Sequence, residues 1–413
     1  MPIHHETVLP SGLRVIHEMS SSPVVYCGYV VMAGTRHEDP ADAGMAHFIE
    51  HMSFKGTERR RACHIANGLE RVGGDLNAFT NKQETVYYAT VLRPDFARAV
   101  DLLTDIVFHS TYPQHEIDRE VEVICDEIES YRDAPAELIF DEFEAMLFDG
   151  HPLGRDILGE AGRLRSYTTA DAHRFAKKFY HPANTVFYVY GDLPFGRIVR
   201  CLEKYHSTPV PATGPQICTA AGNTPPPALR PGTTRIVEKG THQAHVLIGG
   251  PAYGGHDRRR FALLLLNNLL GGPGMNSRLN ITLREKAGLV YSVDSSLSTY
   301  PDTGWWTVYF GCDTHDTDRC LRLIHRELHR LAATPLTTAQ LAAAQKQLTG
   351  QIGIACDNSE SYSLALGKTF AHYGVWRDVE GLCGCLAALT PEEVQAAAAE
   401  IYAPERLTTL IYR

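Results

Sequence analysis

The chain has 413 residues, a net charge of −9, 44% apolar and 21% charged residues. That composition is globular: no apolar run approaches the roughly 20 residues of a membrane span, and no basic stripe offers itself to nucleic acid. The length exceeds one ordinary core, so two domains of about 200 residues each are expected. The opening MPIHHETVLPSGLRVI lacks a basic segment followed by an apolar stretch, so no signal peptide is read and a cytoplasmic location is expected.

In chain order, runs rich in β-branched and aromatic residues predict strands at 13–19, 24–34, 84–92 and 184–192. Helical patterns lie between them, near 40–55, 62–72, 94–110, 114–131, 135–148 and 169–180. The segment 209–232, PVPATGPQICTAAGNTPPPALRPG, holds seven prolines and almost no charge. No periodic element can run through it, so it reads as a linker between a domain at 1–208 and another at 233–413. Beyond it, strands are predicted at 244–250, 289–300, 304–313 and 407–413, with helices near 257–270, 276–287, 315–332, 337–354, 358–374 and 391–402.

The two halves share a layout. TTADAHRFAKKFYHPANTVFYVY (168–190) and TPEEVQAAAAEIYAPERLTTLIY (390–412) each have a threonine cap, a helix ending in tyrosine, a proline two residues later and a strand. Likewise 68–79 and 283–293 each run from a helix through glycine into a strand. Two copies of one α+β unit is the economical reading. The ten cysteines are scattered through apolar segments and read as reduced, buried thiols; the CGC at 383–385 has neither redox nor zinc-knuckle spacing.

The chemistry concentrates in GMAHFIEHMSFKGT, residues 44–57. On a helix, His47 and His51 lie one turn apart on one face and can offer both imidazoles to one ion, with Glu50 beside them. Zinc suits two nitrogens and a carboxylate with a fourth position open to water. A carboxylate source lies at 115–133, where Glu120, Ile124 and Glu127 share a helical face with Val123 beside them. An apolar face with two carboxylates calls for a cation, although an acidic surface helix would read the same way.

HFIEH followed by Glu127 resembles the metallopeptidases whose H-x-x-E-H motif reverses the commoner H-E-x-x-H order. Within them the chain is similar to the pitrilysin, insulin-degrading enzyme and mitochondrial processing peptidase family, in its short-chain branch. NGLERVGGDLNAFTNKQETVYYATVL, EVICDEIESYRDAP, LGGPGMNSRLNITLREKAGLVYSV and YAPERLTTLIYR carry the likeness along nearly the whole chain. The resemblance implies an α+β fold of two similar domains, each a mostly antiparallel sheet packed with helices, together forming half of a clamshell. It implies one zinc per chain on His47, His51 and Glu127, with Glu50 as general base and Glu120 orienting the site. It assigns Asn77, Ala78 and Phe79 to an edge strand that pairs with substrate, and Arg284 and Tyr291 to contacts with the scissile peptide. The glycine-rich GGPGMNSRL (271–279) is no phosphate loop and resembles a flexible loop facing the peptide chamber. The expected activity is endopeptidase cleavage of peptides or unfolded segments within an enclosed chamber. Because the chain carries both residue sets, a homodimer with sites completed in trans is expected, a heterodimer with a related subunit being the alternative. A non-catalytic subunit and a zinc hydrolase of non-peptide amides are the competing functions.

Overall fold

The structure, a computed structural model, describes residues 3–206 and 232–413; the expected linker at 209–232 lies outside the described residues except for Gly232. The described residues form two compact units, the first from 3–129, 155–206 and 356–377, the second from 130–154, 232–355 and 378–413.

The first unit is built on strands β1 (His4–Val8), β2 (Arg14–Glu18), β3 (Val24–Val31), β4 (Asp75–Thr80), β5 (Thr85–Leu92) and β6 (Thr185–Tyr190), in the order β1-β2-β6-β3-β5-β4. The second is built on β7 (Thr234–Val237), β8 (Ala244–Ala252), β9 (Val290–Thr299), β10 (Gly304–Cys312) and β11 (Thr408–Tyr412), in the order β7-β11-β8-β10-β9. With β1 set aside, the two orders are the same. The parallel pair also falls in the same place, β2 with β6 and β7 with β11, while the other neighbours are antiparallel. Two similar α+β domains follow.

The repeated segment behaves as its residues require. Thr168 and Thr390 each cap a helix and accept from the backbone N–H three residues on, while Asp171 and Glu393 reach back to the cap N–H. Tyr180 and Tyr402 close those helices, Pro182 and Pro404 open a short 3-10 turn, and β6 and β11 follow into the sheets.

Each sheet is buried on both faces, which is why β3 and β8 read as nearly continuous apolar runs rather than alternating ones. One face of each sheet carries the main core. On the other face the two halves exchange a helix. Ser359–Tyr373 lays Leu366, Phe370 and Ala371 on Val30, Val186 and Tyr188 of the first sheet. Pro135–Leu147 lays Ile139, Phe143 and Leu147 against Leu247, Trp305 and Leu410 of the second. The packed units therefore depart from chain order, in which the linker alone separates two continuous stretches.

Three kinds of element escape the sequence reading. The strands β1 and β7 are edge strands, half-exposed or exposed and short of apolar residues. Helices Phe195–His206 and Val379–Ala387 lie outside the predicted elements as well. The helix expected at 276–287 is a π-helix, Asn280–Glu285. No helix among the described residues is long and apolar enough to cross a membrane.

Candidate metal centre

The histidine helix, Met45–Met52, starts after Gly44, whose φ of +83° is open to glycine at little cost. Glu38 anchors that start by accepting from the N–H groups of Gly44 and Ala46 at 3.0 and 2.8 Å. Apolar neighbours close around the helix, so His47 and Glu50 are 7% and 9% exposed. The rings of His47 and His51 meet edge to face with centroids 4.5 Å apart.

The acidic helix Gln114–Arg132 lies against them. Its buried side is Ile117, Val121, Ile124 and Ile128. Val123, expected on that side, is 52% exposed. Glu127 places Oε2 at 3.8 Å from His47 Nε2 and 3.6 Å from His51 Nε2. Both separations are too long for hydrogen bonds, yet ligand atoms of all three residues lie within 4.8 Å of one another. Ligands about 2.0–2.2 Å from a tetrahedral zinc stand roughly 3.3–3.6 Å apart. The three residues fit a metal ion of that size. Burial, with His51 close by, lowers the His47 pKa to about 3, so its imidazole is neutral and has a lone pair to donate.

Glu120 does not join the cluster; it stands behind it. Its Oε1 is 3.0 Å from His51 Nδ1 and its Oε2 is 2.5 Å from Lys55 Nζ. A proton on Nδ1 donated to Glu120 leaves Nε2 free on the Glu127 side, the arrangement that fixes a ligating tautomer. Burial raises the Glu120 carboxyl, but the bonds from His51 and Lys55 outweigh it and hold the pKa below its ordinary value. For His51 burial lowers the pKa, and the bond to Glu120 with the charges of Glu50, Glu120 and Glu127 raises it overall.

Glu50 accepts from Thr80 Oγ1 at 2.8 Å. Burial pushes its carboxyl pKa up, against the Thr80 bond and the nearby His51. Thr80 ends β4, which is an edge of the first sheet and among the described residues pairs only with β5, Ala78 opposite Tyr87. Alternation along a strand puts Ala78 and Thr80 on one face and Asn77 and Phe79 on the other. Ala78 packs on the core that holds the histidine helix, whereas Phe79 packs on the opposite core, edge to face with Tyr88 and under Lys368 Nζ at 5.6 Å. Asn77 turns its amide oxygen to the Ala78 N–H at 2.8 Å. The structure thus brings Thr80 to Glu50, and not the side chains of Asn77 or Phe79. Thr80 and Lys55 are the two residues sequence reasoning missed. The signals were there: Lys55 is one turn beyond His51, and Thr80 is two residues beyond Ala78.

Arg284 and Tyr291 belong to the second unit and do meet. Arg284 lies in the π-helix, and Gly288, at φ +62°, reverses the chain with its N–H on the Arg284 carbonyl at 3.0 Å. Tyr291 enters the edge strand β9, 88% exposed, with the Arg284 guanidinium carbon 5.8 Å from its ring centre. In the 271–279 loop Met275 is exposed and the Asn276 and Gln347 amides pair at 2.9 and 3.1 Å.

A family model described as Insulinase (Peptidase family M16) matches residues 14–161, and one described as Peptidase M16 inactive domain matches residues 166–348. An uncharacterized zinc protease of Streptomyces coelicolor is 34% identical over 400 residues, which cover 96% of this chain and 86% of the relative. The chain belongs to peptidase family M16. An uncharacterized zinc protease of Bacillus subtilis is 32% identical, covering 97% of this M16 chain and 96% of its own. Among solved structures, a protease from Helicobacter pylori superimposes with a TM-score of 0.90 at 22% identity, over 100% of both chains. The peptidase M16 inactive domain from Pseudomonas fluorescens gives 0.90 at 21% identity, covering 99% of this chain and 97% of that one. Both are likenesses of fold. The metal cluster falls within the first matched region of this M16 chain, and Arg284 with Tyr291 within the second.

Proposed function

We propose that this M16 chain is a zinc endopeptidase that cleaves peptides or unfolded polypeptide segments. The observation that carries the reading is one constellation: three ligand atoms within 4.8 Å, and a buried glutamate tied to the end of an edge strand at 2.8 Å. His47, His51 and Glu127 would hold a zinc ion, which when bound would supply Lewis acidity for a carbonyl and make a nearby water acidic. Glu50 takes the proton of that water and passes it to the leaving amine. Burial raises its pKa, which makes the carboxylate a stronger base for that proton. Thr80 donates to one oxygen of the Glu50 carboxylate, Oε2. Glu120 holds His51 in register.

The main chain of β4 offers a substrate peptide a strand to pair with. In this reading Asn77, Ala78 and Phe79 contribute through that backbone. Arg284 and Tyr291 contact the scissile peptide, with the tyrosine hydroxyl donating to the developing negative charge. The chain carries both residue sets, one in each unit, so we also propose a homodimer whose sites are completed in trans; two-fold homodimers are the commonest closed assembly.

Digestion of a random peptide library by metal-replete protein and by Glu50→Gln, with products read by mass spectrometry, tests the activity. Cleavage confined to the wild type is expected, with a stably folded protein left intact alongside. Equal product patterns from both proteins would refute it.

A further inference from the structure

Helix Thr317–Ala333, in the second unit, carries Arg319, Arg326 and Arg330 on one stripe. They face Thr282 and Lys286, on and just past the π-helix, across a cleft of about 410 Å³. Of the residues that line it, Glu327 is the carboxylate, and it is buried. Among the described residues none of the four cations has an ion-pair partner. Arg278, partly buried, feels the same Glu327 and Arg330 and adds positive charge nearby.

Unpaired like charges one turn apart, such as Arg326 and Arg330, destabilise a helix. The repulsion is the more notable in a chain whose net charge is −9. Arginines in a concave site are suited to bidentate contact with phosphate or carboxylate oxygens. The volume lies at the low end for small-molecule sites. An acidic peptide spreads its charges over about 3.3 Å per residue, which does not match four cations converging on so small a space. No aromatic ring lines the cleft, so nothing there would stack a base. Neither Arg284 nor Tyr291 lines the cleft, which is therefore separate from that pair.

We propose that this cleft binds a compact anion with several charges on neighbouring oxygens, the chemistry of a di- or triphosphate. The test is calorimetric titration of tripolyphosphate into the zinc-loaded full chain, the Arg326→Gln, Arg330→Gln double variant, and Lys286→Gln on the opposite wall. All three positions are exposed, and circular dichroism checks folding. One equivalent should bind the wild type, at least tenfold more weakly in the double variant and measurably more weakly in Lys286→Gln. Extraction of zinc by the probe would give the same heat in all three proteins. Equal heats across the three, or no binding to the wild type at millimolar probe, would overturn the proposal.

Discussion

Lys55 donates to Glu120, and Glu120 in turn accepts from His51, so the imidazole that meets Glu127 is aimed through two hydrogen bonds. That chain makes a prediction about a residue that touches no metal. Glu120→Gln removes the charge that holds both partners, and zinc affinity by competitive titration should fall about 10- to 100-fold. The pH dependence has a definite sign. His51 must shed its Nε2 proton to ligate, and its pKa stands above the ordinary imidazole value. Zinc affinity should therefore be flat above that pKa and fall about tenfold per pH unit below it. Affinity unchanged from neutral pH down to pH 5 would contradict the assignment of His51 as a ligand. At this scale the sequence was most legible where chemistry and spacing coincide. His47, Glu50 and His51 sit within one turn and a quarter, and Glu127 lies two turns beyond Glu120 on the same helical face. Lys55 and Thr80 were harder to see, because a lysine after a helix and a threonine at a strand end are ordinary residues until their partners are known.

Elements repeat the lesson. The central strands β3, β5, β8 and β10 declared themselves through long β-branched and aromatic runs, since burial on both faces leaves few polar positions. Edge strands β1 and β7 did not, because partial exposure removes that signal. Helices near 135–148 and 358–374 were predicted as elements, but an apolar stripe records that a face is buried and not by which sheet. Their exchange rests on specific polar contacts. Glu84, just before β5, is buried and accepts from His372 at 2.8 Å and from Lys368 at 3.0 Å, both on the exchanged helix. Burial alone would raise its pKa; the bonds and charges of His372 and Lys368 bring it down to about 2, against 4.5 ordinarily. A carboxyl held low stabilises the fold above its unfolded pKa and loses that contribution as pH falls through the folded one. The window is pH 4.5 to 2, and the shift is worth about 3 kcal/mol. Urea unfolding should show Glu84→Gln less stable by about that amount at pH 6, with the gap closing towards pH 3. A gap that persists in acid would show that the contact acts through packing instead.

At the scale of the whole molecule, the two sheets share one strand order once β1 is set aside, while their chemistry differs: three residues that could hold a metal ion in one unit, an arginine and tyrosine at a sheet edge in the other. The proposed sharing of a site between the two kinds of unit makes assembly testable by complementation. Glu50→Gln and Tyr291→Phe proteins should each be inactive, and after subunit exchange a mixture should regain activity from sites built of one intact first unit and one intact second unit. Confirmed exchange with no recovered activity would refute the shared site. The account stands most directly on Glu50. Zinc content and turnover of an unstructured quenched peptide should be measured on the same sample of Glu50→Gln protein. About one zinc per chain with turnover reduced on the order of 10²- to 10⁴-fold is predicted, because the base is lost and the ligands remain. Wild-type turnover in that sample, or loss of the metal together with the activity, would contradict it.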